Sequence, residues 1–301
     1  MDIIPQLILN SIIAGAIYTL VALGFNLIYG ATKFFNLTHG VLATAGGYAV
    51  FYFGKTLGWN IYLAVIIGIV LAGLIGYGLD KIVYSPLRGR KASNMVLLVA
   101  SLGAFTAVQA IIAILFTSQF QTLSSDIGGQ KIYEISCPVA MRSICYGVGS
   151  AVITQTQVLI LISGILIMAG LAVFLKFTLI GKAVKAVSDD EEVAKIIGIN
   201  TNKIIGYVFF VGSAIAGWAG IMIGFDTGIE PTMGMSLLLK GVIASIIGGV
   251  GNIYGGVLGA FLLGFVENFG IWKLSGEWKD AIAFLLLIIF LIIRPKGIIK
   301  K

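Results

Sequence analysis

Charged side chains are scarce in this chain of 301 residues: Asp, Glu, Lys and Arg together make up 11% of it. A soluble globular domain carries roughly 25%, so that class is excluded. Cysteine occurs only at Cys137 and Cys145, and histidine only at His39. That is too little for a zinc site, a disulfide scaffold or a histidine-rich metal centre. No G-x-x-x-x-G-K-[ST] phosphate loop is present; the Gly-rich stretch 241–259 follows Lys240 but contains no G-K-[ST]. No H-E-x-x-H or Ser/His/Asp arrangement of a hydrolytic enzyme is visible either. No basic run reaches five residues and no base-reading motif appears, so the net charge of +7 does not point to nucleic acid. The first six residues, Met1 to Gln6, lack the basic n-region of a cleavable signal, so the first apolar stretch is expected to be retained.

What the chain has in abundance is apolar sequence. Hydrophobic residues make up 58% of it and the mean hydropathy is +1.04. Apolar stretches at 7–29, 39–54, 61–83, 95–117, 157–176, 204–224, 234–250, 252–270 and 280–294 are candidate spans. About 20 helical residues cross a hydrocarbon layer of about 30 Å, so the second and last are near the lower limit. The seventh and eighth are separated only by a Gly-rich turn and form either two spans or a broken, re-entrant pair. Period-2 alternation is absent, so helices are expected to satisfy the backbone in lipid. The 40 glycines would weaken soluble helices but let membrane helices approach closely. The expected fold is an all-α polytopic transmembrane helix bundle of eight or nine spans, one domain over 1–301, multi-pass in the cell membrane.

Positive charge orients such a bundle. If 177–203 is cytoplasmic, 14 Lys and Arg side chains fall on that side, in groups around Lys33, Arg88, Lys185 and Arg294, and 5 on the other. Lys240 stands alone within an apolar segment. The 118–156 stretch then becomes an extracytoplasmic loop long enough to form a small cap. It holds Cys137 and Cys145, for which a disulfide and two free thiols are both open.

The longest polar interruption on the expected cytoplasmic side is 181–200. Ser188 and Glu191 have the S-x-x-E spacing of a capping box, which predicts a helix start at Ser188. Asp189, Asp190, Glu191 and Glu192 suit the positive end of that helix. Val193, Ile196 and Ile197 make one apolar stripe beside Ala194, and Gly198 supplies a stop. A helix of about ten residues, roughly 15 Å, is too short to cross. Its stripe suits a partner protein, packing on its own loops or the lipid surface, although four acids disfavour anionic lipid. Polar side chains inside spans tend to face the bundle interior or water, which singles out Asn36, Thr38, His39, Lys240 and Glu267 as pathway candidates. Lys240 and Glu267 equally suit an ion pair with each other, and His39 a structural role.

Six separated segments resemble one known family. They are 181–224, the first-span pieces Gly15–Gly24 and Leu27–Gly30, Asn36-Leu37-Thr38-His39-Gly40, Tyr84-Ser85-Pro86-Leu87-Arg88-Gly89, Ile246–Gly256, and Arg294-Pro295-Lys296-Gly297. In order and over nearly the whole chain they are similar to the high-affinity branched-chain amino acid permeases of the ABC type. The hydroxyl of Thr38 departs from that pattern, and the 118–156 insert is idiosyncratic. The resemblance implies a membrane-spanning subunit that is not itself an enzyme and holds no cofactor, ATP being bound by partners. Those partners would be a related permease chain in a heterodimer, two cytoplasmic ATPases and an extracytoplasmic solute-binding protein. It also implies that Asp189, Glu191, Val193, Ala194, Ile196, Ile197 and Gly198 form a coupling helix seated on an ATPase. Urea and short amides are alternative solutes. An ion-coupled secondary transporter is the alternative class, although Glu267 is the one acid away from the ends of the apolar spans and no internal repeat appears.

Overall fold

The structure, a computed structural model, describes residues 3–123, 132–135, 151–295 and 297–299. Cys137 and Cys145 lie outside the described residues. The bundle begins with α1 (Ile4–Thr32), which Pro5 starts at the first turn, where its missing N–H leaves no bond unmade. Next come α2 (Thr38–Val50), extended by a π-helical turn Phe51–Thr56, and α3 (Ile61–Leu79). A second π turn, Asp80–Tyr84, and the short α4 (Ser85–Gly89) continue α3. α5 (Asn94–Phe116) leads to the 118–156 stretch, whose described part holds β1 (Ile132–Ile135) and β2 (Ala151–Thr154). α6 (Gln155–Phe177), α7 (Leu179–Asp189), α8 (Glu191–Ile196) and α9 (Thr201–Asp226) follow. The chain closes with α10 (Met233–Gly248), α11 (Ile253–Ile271) and α12 (Lys279–Ile293).

Six of these helices are long and apolar enough to cross a membrane: α1, α3 with its extension to Gly89, α5, α6, α9 and α11. The expected spans at 39–54, 234–250 and 280–294 form the shorter α2, α10 and α12. The Gly-rich turn after α10 resolves into a helical hairpin. Gly248 lies against Gly255, and Gly259 against Ala244, so α10 and α11 run antiparallel in backbone contact. Two elements depart from the expected all-helical reading. β1 and β2 pair antiparallel, with Tyr133 opposite Ile153, and Gln6 of α1 holds β2 by exchanging two hydrogen bonds with Val152 (2.7 and 3.1 Å). Four-residue strands carry too few alternations to stand out in so apolar a chain.

α1 is the central element, packed against α6, α9, α10 and α11, while α2 sits between α3, α9 and α10. Glycine permits these contacts. A methyl group at Gly46 of α2 would lie 2.6 Å from both Cα and O of Gly217 in α9, and one at Gly24 of α1 would lie 2.6 Å from Gly212 O. Large side chains then fill what remains: Tyr48, Phe25, Phe34 and Phe209 are fully buried. The opposite faces of α3, α5, α6 and α12 carry exposed Ile66, Ile114, Leu166 and Ile292, as a lipid-facing surface requires.

Overpacking a close-packed interface costs about 1–3 kcal/mol or more. Gly46→Leu is therefore expected to lower the detergent-solubilised unfolding temperature by several degrees. Gly103→Leu, whose added Cβ meets nothing within 4 Å, is expected to leave it unchanged. Thermal unfolding followed by intrinsic fluorescence measures both.

Candidate functional site

The polar segment between α6 and α9 does not form one helix starting at Ser188. Ser188 belongs to the end of α7, and α8 is capped by Asp190, whose Oδ1 accepts from the N–H groups of Glu192 (2.8 Å) and Val193 (3.0 Å). Asp190 adopts φ −152°, ψ 113°, so the chain turns sharply between the two helices. The expected capping box fails because α7 approaches from the other side: its apolar positions Gly181, Val184 and Val187 bury against the bundle and keep residue 188 helical. Where Thr178 caps α7, its Oγ1 accepts from Gly181 N at 2.9 Å, and Gly181 fits tightly against Phe174 and Leu175.

The stop at Gly198 is where the sequence placed it. Gly198 has φ +89°, its N–H donates to Lys195 O (3.1 Å), and Ile199 N–H donates to Ala194 O (3.0 Å). Both are the bonds of a Schellman ending. Glu191 pairs with Lys195 one turn on (2.7 Å) and accepts from Thr201 Oγ1 (3.3 Å), which ties α8 to the start of α9. Ala194 faces inward at 1% exposure. Val193 (52%), Ile196 (83%) and Ile197 (66%) face outward, on a helix held at both ends.

This segment joins the bundle where several of the singled-out motifs meet. Lys33 Nζ donates to Ser188 O (2.6 Å), and Gly30 faces Ser188. Asn26 of α1 grips the α10–α11 turn: its Oδ1 accepts from Gly251 N (2.9 Å) and its Nδ2 donates to Asn252 O (3.4 Å). Gly251 holds φ +81°, a conformation that glycine adopts without strain. The tail after Arg294 returns to the same place, with Ile298 and Ile299 N–H donating to the last carbonyls of α10, those of Ile247 (2.9 Å) and Gly248 (3.1 Å). A cavity of about 490 Å³ lies at the junction, bordered by Asn26, Gly30, Lys176, Lys185 and Gly251.

Asn36, Thr38 and His39 lie at the start of α2 and are fully buried. Asn36 Oδ1 accepts from Thr38 N (3.2 Å), Thr38 Oγ1 (2.5 Å) and Tyr84 Oη (3.1 Å), and Thr38 Oγ1 lies 2.9 Å from Tyr84 Oη. Asn36 thus anchors α2 to the π turn after α3. His39 Nε2 lies 3.2 Å from Val21 O of α1. The Tyr84–Gly89 motif contributes a second lock: Arg88 Nη2 binds the buried Asp80 at 2.7 Å. Tyr84 and Asp80 escaped the sequence reading of the site, since a tyrosine in a span and an acid at its end give no signal of their distant partners.

Lys240 and Glu267 come together, as the sequence allowed, but not as an isolated pair. Glu267 Oε2 accepts from Tyr18 Oη (2.6 Å) and lies 3.7 Å from Lys240 Nζ and 3.8 Å from Lys279 Nζ. Lys240 Nζ also lies 3.2 Å from Asp280 Oδ1. The cluster sits at the end of α11 and the start of α12, away from the α7–α8 segment.

A buried group that loses its partner costs about 1–3 kcal/mol. Asn36→Ala removes the acceptor shared by Thr38 N, Thr38 Oγ1 and Tyr84 Oη, leaving the two hydroxyls only each other, and is expected to destabilise the protein more than Tyr84→Phe, with the double variant less destabilised than the sum. A thermodynamic cycle of unfolding free energies in detergent tests the coupling.

Residues 7–291 match the family model described as branched-chain amino acid transport system / permease component. The chain is 31% identical over 305 aligned residues to the Escherichia coli high-affinity branched-chain amino acid transport system permease protein LivH, covering 98% of this chain and 95% of that one. It is 29% identical to the Pseudomonas aeruginosa permease protein BraD with the same coverage. A fructose import permease protein, FrcC of Rhizobium meliloti, is 27% identical over 92% of this chain and 72% of its own length. Among solved structures, a chain of PsaBC from Streptococcus pneumoniae in complex with Fab matches with a TM-score of 0.50 and 13% identity. That match covers 98% of this chain and 93% of the other, and it bears on the fold alone. A helical bundle with at least six membrane-length helices, matched from end to end by these permeases, belongs to the branched-chain amino acid transport system / permease component family and resides in the cell membrane as a multi-pass protein.

Proposed function

We propose that this chain is the membrane subunit of an ATP-driven importer of branched-chain amino acids, with α8 as its grip on a separate ATPase. One observation carries the reading: Val193 and Ile196 stand exposed on a six-residue helix, and Ile197 at its C-cap, while its other side and both ends are fixed. Apolar side chains in that position bury area only against a partner, and a rigidly held helix transmits displacement to what it is joined to. Asp190, Glu191 and Gly198 shape the rod, while Asp189 closes α7 before it; Val193, Ile196 and Ile197 make the contact, and Ala194 seats it. The family relationship and the names of the LivH and BraD relatives support the solute class.

In this reading the α7–α8 end faces the cytoplasm, in keeping with Lys33, Lys81, Arg88 and Lys176 gathered there, and 118–156 faces outward. One permease domain spans the chain. Two ATPase subunits bind and hydrolyse ATP below it, a related permease chain stands beside it, and an extracytoplasmic binding protein delivers the amino acid. This chain itself holds no nucleotide. Closure of the ATPases moves α8, and the displacement passes through Glu191–Thr201 to α9 and through Lys33–Ser188 to α1. Asn36, Thr38 and His39 set where α2 begins beside α1 and α9, and so fix one wall of the solute path.

Burying one isoleucine stabilises an interface by roughly 1.5–3 kcal/mol, and an aspartate in its place adds a desolvation cost. Ile196→Asp is therefore expected to abolish copurification of the coexpressed ATPase and ATP-dependent leucine uptake, while Ile196→Leu keeps both. Full ATPase binding and uptake in Ile196→Asp would show that α8 is not the docking element. Uptake by the chain alone, without nucleotide, would point to ion coupling instead.

A further inference from the structure

The break at Asp190 divides the charge of the segment between α6 and α9. Lys182 and Lys185 stand exposed on α7, while Asp190, Glu191 and Glu192 fall beyond it. Asp190 is taken up as the cap of α8, and Glu191 pairs with Lys195 at 2.7 Å. Four acids on one continuous helix would repel an anionic surface, but only Asp189 of the four remains on α7. The basic half is also the half next to the bilayer. Thr178 ends α6 and caps α7, so α7 starts where a membrane-length helix stops. Phe177 and Leu179 stand exposed at that corner beside Lys176, whose Nζ lies 5.3 Å from the Phe177 ring centroid.

The junction cavity of about 490 Å³ lies at this corner, between α1, α6, α7 and the α10–α11 turn. Small-molecule sites run from about 300 to 1,000 Å³, so it has room for a headgroup. Lys176, Lys185 and Tyr254 give its lining charge and a phenol, and Leu27, Ala172 and Leu175 give it an apolar wall. Asp189 lines it too, so two cations stand against one carboxylate. Lys33, which donates to Ser188 O of the same lining, adds a cation next to it. Among the described residues neither Lys176 nor Lys185 is engaged in an ion pair. Tyr254 is exposed in the first turn of α11, where an aromatic side chain meets the headgroup layer. Basic pockets between helices at that level suit lipid phosphate.

We propose that this cavity binds the headgroup of an anionic phospholipid, with Lys176 and Lys185 on its phosphate and Leu27, Ala172 and Leu175 against its glycerol and upper acyl chain. The inference needs only that α6 spans the membrane, so it goes beyond the importer reading without resting on it. A zwitterionic headgroup brings an ammonium towards the same lysines and gains less. A free phosphate makes the ionic contacts but leaves the apolar wall uncovered. Bound there, the lipid touches α1, α6, α7 and the α10–α11 turn at once, and fastens the corner from which α8 projects.

Native mass spectrometry of the full chain, purified as the complex it forms, measures its affinity for phosphatidylglycerol against phosphatidylcholine and inorganic phosphate. Lys176→Gln and Lys185→Gln are each expected to weaken phosphatidylglycerol binding roughly fivefold, and the two together roughly 30-fold. Lys176→Arg and Lys185→Arg should retain it. Asp189→Asn, which removes the opposing charge, is expected to tighten it roughly fivefold. Lys273→Gln, beyond the far end of α11, should leave it unchanged. Both lysines are exposed, so the lipid-free unfolding temperature of the double variant should match that of the native protein. Phosphatidylglycerol should raise that temperature in the native protein only. Equal affinity for phosphatidylcholine, unchanged lipid binding in the double variant, or no tightening in Asp189→Asn overturns the proposal; the last decides it even if the double variant fails to fold. Displacement of the lipid by an equal concentration of inorganic phosphate overturns it in favour of a free-phosphate site. Loss of the copurified ATPase from the double variant with lipid binding intact overturns it in favour of a protein contact. A native complex that shows the expected lipid binding but moves no leucine with ATP leaves this site standing and removes the importer.

Discussion

Close contact between helix backbones, made where glycine leaves no side chain between them, is the constraint on which this structure rests. In hydrocarbon an apolar side chain gains nothing by turning inward, so helices associate through dispersion contacts and interhelical hydrogen bonds. Both need short separations. Gly24 against Gly212, Gly46 against Gly217 and Gly248 against Gly255 bring α1, α2, α9, α10 and α11 to that range. Once they are there, short polar side chains reach neighbouring backbones: Asn26 reaches Gly251 and Asn252, and His39 reaches Val21 O. Abundant glycine, which would weaken a soluble helix, is here what makes the interior possible.

From this frame the two ends of the bundle take different characters. At one end, the turns are fastened to one another through backbone groups: Lys33 to Ser188, Lys81 to Asn202, Asn26 to the α10–α11 turn, and the C-terminal tail to the end of α10. An element pushed there moves its neighbours with it, the mechanical requirement for a coupling site. At the other, Gln6 holds β2 and Lys55 reaches Thr122 O, while the Glu267 cluster gathers charge beneath. The contacts at the first end are hydrogen bonds to backbone groups. Those around Lys240 are ionic.

Much of the fold was legible because it depends on local pattern. The spans 7–29, 61–83, 95–117, 157–176, 204–224 and 252–270 fall on membrane-length helices to within one residue, since a long apolar run is itself what makes such a helix. The amphipathic stripe of Val193, Ile196 and Ile197 was legible for the same reason: its outward exposure follows from the 3.6-residue period and the stop at Gly198. Other features were not. Ser188 and Asp190 both have side chains able to cap a helix, and only the burial of Val184 and Val187, which extends α7 through Ser188, gives the cap to Asp190. The β1–β2 hairpin was too short to register in so apolar a background.

Sequence alone determined that this chain is a helical membrane protein, where its six membrane-length helices lie, and that a short amphipathic rod interrupts it, because hydropathy, period and capping act over a few residues. The tertiary structure decided which polar groups meet. Asn36 turned out to be held by Tyr84, Asp80 by Arg88, and Lys240 by two carboxylates rather than one. Those pairings join residues up to 249 positions apart, as Tyr18 and Glu267 are. No local rule specifies them, since they exist only where packed helices bring two side chains to hydrogen-bonding distance.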